Sequence, residues 1–153
     1  MGAGMNEQLE QFQAIPMSWQ HATAAYPLVR LHDASVSLDK WLRFVRRHCD
    51  PTQQRGGLIA IRDCRGIVHA LFSYRVDFDL HNRKRLCVAN LIVAHIPGSK
   101  IEEAVATSTR NIQAELGCHT ICAEQPFRPA TPWKRCPTAE ALTRRIGLSS
   151  RLH

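Results

Sequence analysis

The chain has 153 residues, 44% of them hydrophobic and 22% charged, with a formal charge of +7 and a pI near 9.5. The length suits one domain with a sizeable core, and the composition excludes a disordered or fibrous class. No apolar run approaches the ~20 residues of a membrane span, and "MGAGMNEQLEQ" lacks both secretory and myristoylation patterns, so the expectation is a cytoplasmic protein away from membranes.

Residues 1 to 25 show no clear period and read as an N-terminal arm, ahead of a single domain over 26–153. "YPLVRLHDASV" offers a first strand around Leu28 to Leu31. "SLDKWLRFVRRHCDP" predicts a helix: Ser37 can cap it, Trp41, Leu42, Phe44 and Val45 form an apolar stripe, and Pro51 lies beyond its end. "GGLIAIRDCRGIVHALFSYRV" predicts a hairpin whose turn holds Gly66 for a positive φ. After "DFDLHNRK" the run Leu86 to Ile96 is nearly continuously apolar, as in a central strand covered on both faces. A tight turn through "IPGSK" leads into a helix with Ile101, Val105, Ser108, Ile112 and Leu116 at helical spacing and Gly117 as its C-cap. Ser99 and Glu102 match a capping box at its start. A strand "HTICAE", a proline-rich stretch and a last helix "TAEALTRRIG" follow, so the whole reads as a mixed sheet flanked by helices in one α/β domain.

Six scattered cysteines, Cys49, Cys64, Cys87, Cys118, Cys122 and Cys136, form no C-x-x-C pair. They read as reduced core thiols, with no metal expected, because Cys118, His119 and Cys122 lack a second ligand pair at zinc spacing. The positive charge gathers in "RFVRRH" (Arg43 to His48) and "HNRKR" (His81 to Arg85). Either cluster alone reads as a solvated basic face. Together they favour an anionic partner: nucleic acid, a phosphorylated cofactor or an acidic surface.

In this order of elements, from Tyr26 to Leu148, the chain resembles the GCN5-related N-acetyltransferases. A strand meander, a central strand ending in L-x-V (Leu91 to Val93), a tight turn and long helix, then "LGCHTICAE", follow that family's core. "CPTAEALTRRIGL" matches its last helix at Ala139, Leu142 and Gly147. The resemblance implies acetyl-CoA as cofactor, with Leu91 and Val93 along its pantetheine and Gly98, Ser99, Lys100 and Ile101 around its pyrophosphate. It also implies direct transfer to the amine of a small molecule or protein.

Several working positions depart from the family. Lys100 and Glu102 stand where the phosphate turn has glycines, and Glu102 and Glu103 put negative charge at the helix start. Cys136, Thr143 and Leu148 replace the family's Asn, Tyr and Phe. Only "SSRLH" follows Leu148, where the family adds two strands. Three alternatives stand open there: a partner chain (a homodimer) completes the sheet, the N-terminal arm completes it, or the acceptor side is open.

Glu124 is the best-placed carboxylate to accept a proton, and Asn90, beside Leu91, can position an amine or water through its amide. Against these stand plainer readings, a solvated strand end for Glu124 and a cross-strand hydrogen bond for Asn90. His95 has the pKa of a base but sits at the turn, and Cys136 lies beside Lys134 and Arg135 without a His–acid pattern. Two functions from different classes follow: an N-acetyltransferase, or a non-catalytic module of the same fold with a basic face for an anionic partner.

Overall fold

Apolar alternation builds the centre of the molecule, seen in a computed structural model that describes residues 11–49, 56–94, 96, 98–127 and 137–151. Strands β2 (Gly56–Arg62) and β3 (Val68–Phe78) form the expected antiparallel hairpin, and β4 (Lys84–Val93) pairs antiparallel with β3. After helix α3 (Ile101–Leu116), strand β5 (Thr120–Ala123) returns parallel to β4. Among the described residues the sheet is completed by β1 (Gln13–Pro16), antiparallel to β2, giving the order β1-β2-β3-β4-β5.

The two faces of this sheet bury separate cores. On one face Ile59, Ile61, Phe72, Leu86, Val88, Leu91 and Val93 meet Ile101 and Val105 of α3 and Ala139, Leu142 and Ile146 of helix α4 (Pro137–Arg151). On the other, Leu58, Ala60, Leu71 and Ile92 meet helices α1 (Ala22–His32) and α2 (Leu38–His48) through Ala25, Leu28, Val29, Trp41 and Val45. Each fully buried Leu, Ile or Phe contributes roughly 1.5–3 kcal/mol by leaving water. The indole N–H of Trp41 donates to the carbonyl of Ala22 at 2.7 Å, so the largest buried side chain also ties α2 to α1.

Two expectations are corrected. Leu28 to Leu31 is helical, within α1, despite Pro27 inside the same helix. Ala22, Ala25, Leu28 and Val29 fall on one helical face and bury against the sheet, which outweighs the bond that Pro27 cannot donate. The first strand lies earlier, at β1, on the edge opposite β5. The described part of the N-terminal arm therefore does not complete the β5 side.

Candidate functional site

The sheet is irregular at one place, and that place is where Asn90 stands. In the β3–β4 register Leu71 faces Ile92 and Ser73 faces Ala89, so Phe72 opposes both Asn90 and Leu91. This is a β-bulge, and it explains why Val88 and Leu91 share a face although they are three residues apart. The extra residue takes φ +55°, a left-handed conformation that Asn tolerates better than most side chains. Asn90 Nδ2 donates to Ser73 Oγ at 2.9 Å, and Ser73 Oγ donates to the Ala89 carbonyl at 3.1 Å. The amide expected to position an amine or water thus locks the bulge.

Beyond Val93 the chain turns at Gly98, with φ +74° and open space where a Cβ would stand. The expected capping box is not formed. Lys100, not Ser99, is the N-cap of α3, at φ −96° and ψ 20°, and its side chain makes no cap bond to the helix. The first intrahelical bond runs from Ala104 N to Lys100 O, so the amides of Ile101, Glu102 and Glu103 precede the regular ladder. Of the two acids there, Glu103 accepts from Arg145 Nη2 of α4 at 2.6 Å; that bond holds its carboxyl below the usual range and offsets its charge. Leu91, Val93, Gly98, Ser99, Lys100 and Ile101 therefore lie along one path, from the bulged strand through the turn to the helix start. His95 and Cys136 fall outside the described residues.

Glu124 follows β5, and its amide donates to the Val88 carbonyl at 2.7 Å. Its carboxylate pairs with the Arg75 guanidinium, which reaches from β3 across β4. To accept a proton, Glu124 must first leave Arg75.

The sequence reading did not single out Arg75 or the neighbouring Asp77 and Arg85. Asp77 accepts from Arg85 at 2.8 and 3.0 Å and from the Cys87 thiol at 3.4 Å. Burial, and then that bond to Asp77, push Cys87 up to about 11, so it is a protonated thiol at neutral pH. The signal was present in "SYRVDF", where Ser73, Arg75 and Asp77 recur at strand period on the face opposite Phe72 and Tyr74. Cys118 lies in the core under α3, whereas Cys122 alternates with Ile121 and Ala123 onto the other face, so the two do not share a site.

Phe127 is a second feature that the sequence did not reveal. Its amide donates to the Leu91 carbonyl at 3.2 Å, and its carbonyl accepts from His32 Nε2 at 2.8 Å. The residues after β5 are thereby fastened to the site strand just past the bulge. Thr143, at the position of the family's tyrosine, donates its hydroxyl to the Ala139 carbonyl within α4.

Comparison with known proteins gives a match in fold. No family model and no curated relative matches the chain. Among solved structures, it is similar to a ribosomal-protein-alanine N-acetyltransferase from Brucella melitensis biovar Abortus 2308, at TM-score 0.67 and 14% identity over 90% of this chain and 91% of that one. It is also similar to an aminoglycoside N-acetyltransferase in complex with CoA, at TM-score 0.65 and 9% identity over 90% and 87%. A glucosamine-6-phosphate N-acetyltransferase from Arabidopsis thaliana gives 0.61 and 12% over 90% and 91%. The chain has the fold of the GCN5-related N-acetyltransferases. No helix among the described residues is long and apolar enough to cross a membrane.

Proposed function

We propose that this chain is an acetyl-CoA-dependent N-acetyltransferase that moves an acetyl group directly onto a primary amine of a small molecule or protein. The observation that carries the reading is the start of α3, left without a side-chain cap at the end of a bulged strand, in a chain with the acetyltransferase fold. Helix N-termini present N–H groups and a positive dipole end to anions, and the cofactor's phosphates need such donors. Gly98 leaves room for close approach, Lys100 is exposed and adds a cation, and Arg145 offsets the charge of Glu103.

The bound cofactor supplies the acetyl thioester; the chain supplies position and proton handling. Leu91 and Val93 would hold the pantetheine through their backbone, which requires Leu91 to exchange the Phe127 amide for a cofactor group. Asn90 and Ser73 fix the bulge and hence the height of that backbone. Glu124, released from Arg75, would take the proton of the attacking amine. Thr143, bonded within α4, is not available as an acid, so solvent would protonate the leaving thiolate.

A second reading, a non-catalytic module of the same fold, draws support from the occupied Glu124 and Thr143. One assay separates the two: CoA thiol release from acetyl-CoA with a panel of small amines and peptides. Amine-dependent release that falls about 100-fold in kcat in Glu124→Gln supports the enzyme. Cofactor binding without release from any amine favours the module.

A further inference from the structure

The charge of this protein is sorted between its helices. Helix α2 carries Lys40, Arg43, Arg46 and Arg47 against one acid, Asp39, whereas α3 carries Glu102, Glu103 and Glu115 against Arg110. Solvation alone asks only that surface charges be spread. On α2 the four cations fill one continuous arc opposite Trp41 and Val45, all exposed, with Lys40, Arg43 and Arg47 at i, i+3 and i+7. None of the four forms an ion pair with an acid among the described residues. The other basic run, "HNRKR", is absorbed into the structure: Arg83 pairs with Asp79, Arg85 with Asp77, and Lys84 Nζ bonds the Leu116 carbonyl.

An aromatic group borders this arc. Trp19, in the 3-10 turn Trp19–His21, keeps 43% of its surface exposed, and the Arg46 guanidinium lies 4.3 Å from its ring centroid. The cation–π contact fixes Arg46 and the indole together at the edge of the basic stripe. A row of cations without acidic partners beside a part-exposed indole, one face of it covered by Arg46, is a combination that can hold a single nucleic-acid strand, by phosphate neutralisation and by stacking of a base on the other face. An acidic protein would use the cations but leave the indole without a role. A lipid surface would need a cluster of exposed apolar residues beside the cations, whereas on α2 Leu38, at the start of the helix, is the one exposed large hydrophobic residue and Trp41 and Val45 are buried.

We infer that the outer face of α2, with Trp19, is a binding surface for single-stranded nucleic acid, independent of the acetyltransferase reading. The experiment is fluorescence anisotropy of the full chain with a labelled 20-residue uridine oligonucleotide, across a salt series. The expected slope of log K against log salt is about −2 to −3, as for three or four neutralised phosphates on a single strand. Arg43→Glu with Arg47→Glu is expected to weaken binding about tenfold or more and flatten the slope. Arg110→Glu with Arg144→Glu, an equal change of charge elsewhere, is expected to leave affinity within about twofold, and circular dichroism checks each fold. Trp19→Ala is expected to weaken the single strand but not a duplex of the same length. Four results overturn the inference: no binding at low salt, equal loss in both charge-reversal pairs, a duplex bound as tightly with no effect of Trp19→Ala, or displacement by polyglutamate at equal charge.

Discussion

The turn after β2 and the turn after β4 leave the same end of the sheet, yet they treat their backbone donors in opposite ways. After β2, the buried Asp63 gathers everything near it. Its Oδ1 accepts from the amides of Arg65 (2.8 Å) and Ile67 (3.1 Å), and its Oδ2 accepts from Arg65 Nη2 (3.3 Å) and His69 Nε2 (2.9 Å). After β4, the N-cap residue Lys100 makes no side-chain bond to the start of α3. The first turn is closed by its own carboxylate, which holds the hairpin. The second keeps donors in reserve, a cost in local stability that a bound anion would offset.

Removing the closure should have the largest effect. Asp63→Ala removes the buried acceptor shared by two turn amides and the side chains of Arg65 and His69, and is expected to cost about 2 kcal/mol in urea unfolding, while the folded fraction binds acetyl-CoA as before. Loss of cofactor affinity equal to that in a Gly98 variant would break the contrast between the turns.

Gly98→Trp should act the other way. It is expected to lower acetyl-CoA affinity at least ~10-fold in calorimetric titration, about 1.4 kcal/mol, and to cost about 1 kcal/mol in stability through its positive φ. Unchanged affinity would remove the turn from the site.

Capping gives a finer test. Ser37, in extended backbone, accepts from Lys40 N at 3.2 Å and caps α2. Ser37→Ala should therefore cost about 1 kcal/mol in unfolding, and Ser99→Ala almost nothing. Equal costs would mean that α3 is capped in solution.

The pH dependence follows from Asp63. Burial alone would raise its carboxyl, but the bonds from His69, Ile67 and Arg65 hold it well below the ordinary carboxylate range. A carboxyl lowered in the folded state contributes stability that is complete above its unfolded value, near ~4, and is lost as pH falls toward the native value. The urea midpoint should drop between pH 6 and pH 3, and that drop should shrink in Asp63→Ala. The smallest effect expected is at Phe127, whose amide should exchange faster with deuterium once acetyl-CoA binds, because Leu91 has then released it.

Much of this was legible in the sequence, and the misses have physical causes. The α2 stripe, the β2–β3 hairpin and Gly117 at φ +65° are strong local signals and stand where they were expected, while the apolar run expected from Leu86 to Ile96 is strand only as far as Val93, and Ile96 is exposed. Helix α1 was hidden because Pro27 and Val29 argue against a helix locally, while its burial against the sheet is tertiary. Strand β1 is four residues ending in Pro16, too short to alternate. The Ser99–Glu102 pattern matched a capping box in letters only, since the chain arrives through Gly98 and places Lys100 at the cap with a backbone that is not extended.

The site was legible as a path but not as a set of partners. Leu91, Val93 and Gly98 to Ile101 came from the resemblance to the acetyltransferases, and the structure sets them along one strand, turn and helix start. The Arg75 partner of Glu124 and the Phe127 amide on Leu91 depend on contacts between distant parts of the chain, which no spacing reveals.

On the proposed function, the turn after β4 and the start of α3 hold a phosphorylated cofactor. Calorimetric titration of the full chain with acetyl-CoA, with free CoA alongside, tests it most directly. Micromolar binding of both is expected, sharply weakened in Gly98→Trp. Absence of heat at millimolar cofactor would contradict it and leave the fold without its acetyl donor.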